Sequence, residues 1–333
     1  DQAMNARTMA RQHAGASLAL FDALSRAGGG HRMAPAVRDF LAQSALPTTD
    51  DQPFSMQYDG YLAAGERAAW GFTVNSRFDT RSVREFVGEA AAVVGAEPIV
   101  EAAEALARAL PRPGVTTLSF AFDAPSLPPR LKVYFQEDAW GAGVGTAAQV
   151  DAALAHLDLG CALPSWVARD AGVGVVTLEA PPASNGLRAK AYLGVSENVE
   201  GIFPAAPDEV RHLAGIMRSA SPLTPSYYYL TLRMERGAPV RYAFNKIYDF
   251  SQMRFGRDAK ATLSAFRDIG RLFATAGKRA DFRRVGGELA TPLADGRAPL
   301  VVPTASAVES QGRSVDFYCA AFSLAPARGT ANP

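Results

Sequence analysis

A unit of two strand-like segments followed by a helix-like segment recurs along the chain, and this repeat limits the possible folds more than any other feature. Apolar and polar residues alternate with period two in paired segments such as "VTTLSFAFD" with "RLKVYFQ" and "VGVVTLEA" with "LRAKAYLGV". Segments with helical spacing, such as "TAAQVDAALAHLDLG" and "PDEVRHLAGIMRSA", follow each of the first four pairs. We therefore predict about ten strands in five hairpins.

Three of these strands carry the same lysine–spacer–tyrosine pattern. The pairs are Lys132 and Tyr134, Lys190 and Tyr192, and Lys246 and Tyr248. The first two lysines are 58 residues apart and the last two are 56 apart, which indicates a repeat. Antiparallel hairpins covered by helices favour a sheet that closes on itself, since closure removes exposed edge strands. The predicted fold class is α+β: a ten-stranded antiparallel closed β-barrel of repeated ββα units, surrounded by an outer ring of helices.

Strand parity predicts which side chains point into the barrel. In "RLKVYFQ", Leu131, Val133 and Phe135 share one face, while Lys132 and Tyr134 share the opposite face. The amphipathic helices need an apolar sheet face to cover, so the apolar series should point at them. The lysines and tyrosines then point inward, into a lumen wide enough to hold a ligand.

Charge and composition exclude several classes of protein. The 34 Lys and Arg residues nearly balance 33 Asp and Glu residues, which argues against a dedicated nucleic-acid or membrane-surface protein. The chain has no run of 18 apolar residues and its start lacks the apolar core of a secretion signal, so neither a membrane span nor a signal peptide is expected. Two distant cysteines, Cys161 and Cys319, favour a reducing compartment and hence the cytoplasm. The four histidines form no metal-ligand pair, and no metal site is predicted.

The pattern predicts a single domain over residues 1–333. Helices occupy its N-terminal part, 1–45, and the barrel occupies 46–323. Residues 324–333, at the end of the chain, are expected to be a flexible tail.

A lumen with converging lysines and tyrosines suits a polyanion next to a developing cation. Lysine supplies a point charge to phosphate, and tyrosine supplies a hydroxyl donor and an aromatic face. Aromatic faces attract cations by about 1–2 kcal/mol when water is excluded. An allylic diphosphate that ionises to an allyl cation and pyrophosphate fits this description.

The repeat also resembles a known family, the aromatic prenyltransferases of the ABBA (PT-barrel) fold, and most closely their dimethylallyltryptophan synthase branch. The resemblance covers about residues 46–323 and is carried by "RLKVY", "RAKAYL", "NKIY", "TDDQPFSMQYDGY" and "WGFTVN". It implies an enzyme that transfers a prenyl group from an allylic diphosphate to an electron-rich aromatic acceptor. It also implies residue roles: Lys132, Lys190, Lys246 and Arg67 would bind the diphosphate, and Tyr134, Tyr192, Tyr248 and Tyr318 would shield the cation. The family's lysine-rich members do not strictly need a metal, so no cofactor is required and Mg²⁺ stays optional.

The sequence departs from the family pattern in the first strand. Ser55 matches the position where the family has an acidic residue that accepts a hydrogen bond from the indole N–H. Ser55, Gln57 and Asp59 are therefore the catalytic candidates, with Glu66 as a further proton acceptor. The family's arginine lies nearer Ala69 than Arg67, which leaves the role of Arg67 open.

Several alternatives stay open at this point. The acceptor could be an aromatic small molecule, an amino acid or a peptide side chain, and the protein a monomer or weak dimer. The barrel could instead bind an isoprenoid or another anion without catalysis, or an open sheet could stack single-stranded RNA. Asp316 could be a lumen acid or a surface residue, and Arg233 could line the lumen or pair with Glu235.

Overall fold

The structure of the protein is a computed structural model that describes most of the chain. The described residues are 18–19, 21–22, 32–44, 56–62, 69–75, 82–122, 127–136, 143–181, 186–195, 203–220, 226–248, 259–289, 299–309 and 314–323. In 56–62 and 69–75 the description is limited to the backbone. Most of the predicted N-terminal helical region and the predicted tail lie outside the described residues.

The described residues contain ten long strands, as the alternation predicts, and one two-residue strand that it does not predict. The strands are β1 (Met56–Leu62), β2 (Ala69–Asn75), β3 (Val115–Phe122), β4 (Arg130–Gln136), β5 (Gly145–Thr146), β6 (Gly172–Ala180), β7 (Arg188–Val195), β8 (Ser226–Met234), β9 (Arg241–Tyr248), β10 (Pro299–Glu309) and β11 (Ser314–Ser323).

These strands form one curled antiparallel sheet. Its order is β4-β3-β2-β1-β11-β10-β9-β8-β7-β6-β5, and β4 also pairs with β6. The five predicted hairpins are present, since β1 pairs with β2, β3 with β4, β6 with β7, β8 with β9, and β10 with β11. The curl gives the sheet an inner face and an outer face.

Among the helices whose bounds are described, one precedes the first hairpin and the others follow hairpins. Within the described ranges they are α1 (Pro35–Ser44), α2 (Val83–Val94), α3 (Pro98–Ala109), α4 (Ala147–His156), α5 (Asp208–Ala220), α6 (Ala259–Thr275) and α7 (Arg279–Leu289). Local sequence sets the start of two of them: Ser82 with Glu85 and Thr146 with Gln149 form capping boxes for α2 and α4. None of the helices described here is long and apolar enough to cross a membrane.

The hydrophobic core lies between the helices and the outer face of the sheet. Leu131, Val133 and Phe135 of β4 are fully buried there, which confirms the parity prediction for this strand. Aromatic contacts join the layers, because the ring of Phe40 in α1 lies 5.6 Å from that of Phe120 in β3. The polar series of β4 consequently faces the inside of the curl.

Candidate active site

The inner face of the sheet encloses a polar cavity of about 490 Å³, counting the space open to solvent. We call it the lumen cavity and define it by its lining residues. These are Arg130, Lys132, Tyr134, Lys190, Tyr192, Thr231, Arg233, Ala243, Asn245, Glu309, Asp316 and Tyr318. Of the eight residues predicted to bind the diphosphate or shield the cation, five are brought together here: Lys132, Lys190, Tyr134, Tyr192 and Tyr318.

The prediction that the side chains of Lys246 and Tyr248 point into the lumen is wrong. On β9, Ala243 and Asn245 line the lumen cavity, so the alternating residue Lys246 points to the outer face. Its Nζ lies 3.1 Å from Oδ2 of Asp268 in α6, and both side chains are fully buried. Tyr248 lies on the same outer face, where its hydroxyl hydrogen-bonds Ser306 Oγ at 3.0 Å. The Lys-x-Tyr pattern therefore lies on the outer face of β9, whereas on β4 and β7 it lies on the inner face.

The other predicted residues fall where less is described. Ser55, Arg67 and Glu66 lie outside the described residues. Gln57 and Asp59 belong to β1, and only their backbone pairing is described. Gln57 is in register with Thr73 of β2, and Asp59 with Tyr318 of β11.

A buried glutamate that sequence reasoning missed holds two of the lumen cations. Glu179 on β6 accepts a hydrogen bond from Arg130 Nη1 at 3.1 Å and forms an ion pair with Lys190. It is also in register with Lys132. Burial would raise the pKa of Glu179, but the charges of Lys190 and Arg130 outweigh it and hold that pKa well below its usual range.

The ammonium group of Lys190 titrates near neutrality. Burial, together with the charge of Arg233, lowers the pKa of Lys190 to about 7, although Glu179 acts in the opposite direction. Lys190 is 5% exposed and stands in register with Arg233 on β8 and Thr177 on β6. An anion bound beside Lys190 would favour the charged form of this ammonium.

Arg233 settles one of the open alternatives. Its Nη1 lies 2.7 Å from Oε2 of Glu309 on β10, and its Nη2 lies 4.0 Å from Oδ2 of Asp316. Glu235 instead lies 3.1 Å from the guanidinium of Arg188. Burial would lower the pKa of Arg233, but Glu309 and Asp316 raise it above its ordinary value, so Arg233 is a permanent lumen cation.

Asp316 is a lumen acid, not a surface residue. It is 4% exposed and lines the cavity beside Glu309. The four cations in the lining, Arg130, Lys132, Lys190 and Arg233, are balanced in part by the carboxylates of Glu179 on β6 and Glu309 on β10. No group of three or more His, Cys, Asp or Glu residues suited to a metal occurs in the part of the chain that is described.

The tyrosines form a second layer beside the charged residues. Tyr134, Tyr192 and Tyr318 each follow a charged lumen residue by two positions, about 7 Å along their strands. Tyr229 of β8 lies in the same layer, with its ring edge-on to Tyr192 at 6.5 Å between centroids. Asn245, the residue before Lys246 on β9, lines the cavity instead of that lysine. Its side-chain amide donates a hydrogen bond to Thr231 Oγ1 at 2.6 Å.

The chain is similar to known proteins in structure, whereas the sequence comparisons found no match. No protein-family model and no curated protein sequence matches the chain. A 5-dimethylallyl tryptophan synthase from Streptomyces coelicolor, solved in complex with DMASPP and Trp, is 16% identical and matches with a TM-score of 0.60 over 97% of both chains. The chain has the ABBA prenyltransferase fold.

Two further structures agree with this ABBA fold. A 6-dimethylallyltryptophan synthase from Micromonospora olivasterospora, also with DMASPP and Trp, is 16% identical, with a TM-score of 0.59 over 91% of this chain and 95% of its own. AnaPT from Neosartorya fischeri is 11% identical, with a TM-score of 0.58 over 91% of each chain. The fold-level resemblance drawn from the Lys-x-Tyr strands is confirmed.

Proposed function

We propose that the protein is an aromatic prenyltransferase that uses an allylic diphosphate as donor. The observation that carries this proposal is the convergence of Arg130, Lys132, Lys190 and Arg233 on one cavity, with tyrosines one layer away. The cations neutralise charge that develops on the leaving pyrophosphate, and buried sites strengthen such interactions. The neighbours of this fold that were solved with DMASPP and Trp support the same donor class.

We propose that Tyr134, Tyr192 and Tyr318 shield the allyl cation formed when the C–O bond of the donor breaks. Their layer lies directly beside the cation layer, so the carbon attached to the diphosphate would reach them. Aromatic faces stabilise a cation while excluding water, which would otherwise trap it. Tyr248 has no part in this proposal, because it lies on the outer face.

The acceptor is proposed to be an electron-rich aromatic group, on a small molecule, an amino acid or a peptide. Attack of its carbon or heteroatom on the allyl cation is followed by loss of a proton to a base. Ser55, Gln57 and Asp59 stay the proposed candidates for binding or deprotonating it. The backbone register supports Asp59 as a candidate, since it pairs with Tyr318 of β11, and Gln57 lies two residues before it on β1.

We further propose that the ten long strands close into a complete barrel. The pairing of β4 with both β3 and β6 supports this closure, because it leaves each long strand a neighbour on both sides. The burial of Lys190 and Asp316 inside the curl supports an enclosed lumen and disfavours an open sheet that stacks RNA. The cytoplasm is proposed as the compartment, on the cysteine content.

One observation favours a second candidate, a barrel that binds an anion without catalysis. Glu179 and Glu309 already pair with lumen cations, so a donor must compete with them. In this second candidate, an anion would replace the carboxylates beside the lumen cations, and no prenyl group would be transferred.

A direct assay separates the two candidates. The protein is incubated with dimethylallyl diphosphate and a panel of aromatic acceptors that includes tryptophan and aromatic peptides, and products are read by mass. We expect one acceptor to gain a dimethylallyl group with equal release of pyrophosphate. Lys190→Ala should lose at least about 100-fold in turnover, whereas Lys260→Ala, an exposed lysine of α6, should not. Donor binding with no mass gain on any acceptor would favour the non-catalytic barrel.

A further inference from the structure

Asp316 places a carboxyl group where the repeat pattern leads one to expect a lysine. On β11 the segment Asp316-x-Tyr318 repeats the spacing of Lys132-x-Tyr134 and faces the same cavity. A carboxylate in this position would repel a bound diphosphate at close range. We call the four lining cations, Arg130, Lys132, Lys190 and Arg233, the cation layer. An anion can bind there favourably only if Asp316 does not carry its negative charge.

The contacts of Asp316 leave half of its carboxyl group unused. Its Oδ2 accepts a long hydrogen bond from the hydroxyl of Tyr318 at 3.4 Å and lies 4.0 Å from Arg233 Nη2. Arg233 is engaged more closely by Glu309, at 2.7 Å. Oδ1 is buried and has no hydrogen-bond partner among the described residues. A buried, half-paired carboxylate is costly, whereas a neutral carboxylic acid carries an O–H donor that needs an acceptor.

The surroundings favour the neutral acid far more than an exposed site would. Burial and the neighbouring Glu309 raise the pKa of Asp316 to about 7, against opposing effects of nearby cations. The charged and titratable groups that face it come from several strands: Lys132 of β4, Lys190 of β7, Arg233 of β8, Glu309 of β10 and Tyr318 of its own strand. The remaining neighbour, β1, places Tyr61 in register with Asp316.

We propose that Asp316 binds the donor as a neutral acid and donates a hydrogen bond from its free carboxyl oxygen to a phosphate oxygen. This inference rests on the proposed function, because it assumes that an allylic diphosphate occupies the cation layer. The neutral form removes the repulsion, and the phosphate oxygen supplies the acceptor that Oδ1–H lacks. No covalent step is involved.

The consequence is that binding of the donor takes up protons. Above the pKa of Asp316, each unit of pH lowers the fraction of neutral acid tenfold, and donor affinity should fall with it. Lys190 acts in the same sense, since its charged form is the one that binds an anion. At alkaline pH the native protein should therefore take up about two protons, one for each group.

The test compares Asp316→Asn with the native protein by calorimetric titration of dimethylallyl thiolodiphosphate between pH 6 and 9. The amide of asparagine mimics the neutral acid but does not titrate. We expect the slope of log Kd against pH to be smaller by about one in this variant, and its affinity at pH 8 to be about tenfold higher than native, with little difference at pH 6. Titration of the ligand itself is common to both proteins and cancels.

Three further variants make the comparison specific. Lys190→Arg should also lower the slope by about one, because arginine does not titrate in this range. Asp316→Ala, which lacks the donor, should bind more weakly than Asp316→Asn at pH 8. Asp208→Asn removes an acid whose side chain is 96% exposed and should match the native protein throughout.

The outcomes distinguish the two proposals. Parallel, coincident curves for the native protein and Asp316→Asn would overturn the role of Asp316 while leaving the donor site intact. Weaker binding by Asp316→Asn at every pH would overturn it as well, because a charged carboxylate would then be the favourable form. Absence of binding by native protein and by Asp316→Asn alike would overturn the proposed function, and this inference with it.

Discussion

Lys246 and Asp268 form an ion pair that joins the sheet to its helical layer. The two charged atoms are 3.1 Å apart, and neither side chain has exposed surface. The ammonium also lies 6.0 Å from the ring centre of Tyr228 and 5.7 Å from that of Tyr248. Lys246, which the sequence predicted to bind the diphosphate, therefore lies between β9 and α6, where it contributes to the folding stability of the protein.

Lys246→Met should destabilise the protein without a specific loss of donor binding. Removing one partner of a buried ion pair leaves an uncompensated charge, which costs about 3–5 kcal/mol. Urea denaturation should show this loss, while the folded fraction should bind dimethylallyl thiolodiphosphate with native affinity. Lys190→Ala should instead weaken donor binding, and its loss of stability should be smaller because Arg130 still pairs with Glu179.

A double variant provides the control for this prediction. Lys246→Met combined with Asp268→Leu replaces both charges by apolar groups and should recover most of the lost stability. If Lys246→Met weakens donor binding as strongly as Lys190→Ala does, the assignment of Lys246 to the outer face is wrong.

Strand count, hairpin pairing and the general fold could be predicted because they depend on local alternation. The period-two pattern of Leu131, Val133 and Phe135 is unambiguous, and these residues are fully buried. Sheet order between hairpins follows no local rule in the sequence. The meeting of β4 and β6, and the irregular pairing at Val173 and Val175, depend on contacts between distant segments.

The phase of β9 could not be predicted from its own sequence. The face of β9 that carries Lys246 also carries Tyr242, Phe244 and Tyr248, so its aromatic residues and its lysine predict opposite directions. A signal existed on α6, where Asp268 shares the buried face with Ala265, Ile269 and Leu272. An acid on an apolar helix face requires a buried cation, and Lys246 supplies it. Glu179 and Glu309 had no comparable signal, because a single acid in a strand most often faces water.

Glu179→Gln should move the pH dependence of donor binding to lower pH. Glu179 raises the pKa of Lys190, so its removal should lower that pKa further below about 7, by about one unit. The lysine is then neutral over a wider range, and affinity for dimethylallyl thiolodiphosphate should begin to fall at a lower pH than in the native protein. Calorimetric titration from pH 5.5 to 9 measures the midpoint.

The matched control for Glu179→Gln uses arginine in place of the titrating lysine. In a Lys190→Arg background, Glu179→Gln should leave the midpoint unchanged, because position 190 then carries no group that titrates in this range. A similar shift in both backgrounds would show that Glu179 acts through another group.

Asp316→Asn should make folding stability less dependent on pH. The pKa of Asp316 is about 7 in the folded protein and near 3.8 when unfolded, so the folded state binds more protons between these values. Native stability consequently falls as pH rises from about 4 to 7, and asparagine abolishes this fall. The variant should gain about 3 kcal/mol relative to native protein between pH 4.5 and pH 8, as read by urea denaturation. A constant difference across this range would contradict the raised pKa.

Gly174→Ala should destabilise the sheet where β6 faces the tyrosine layer. An added Cβ would lie 2.8 Å from Cε1 of Tyr229, closer than van der Waals contact allows. Tyr229 is itself edge-on to Tyr192, so its ring has little freedom to move aside. We expect a loss of about 1–3 kcal/mol in the free energy of unfolding, measured by urea denaturation.

Gly172→Ala in the same strand is the matched control, because its added Cβ meets no atom within 4 Å and should change stability far less. Equal losses in the two variants would indicate a general intolerance of β6 to side chains, and a neutral Gly174→Ala would mean that Tyr229 does not pack over this position.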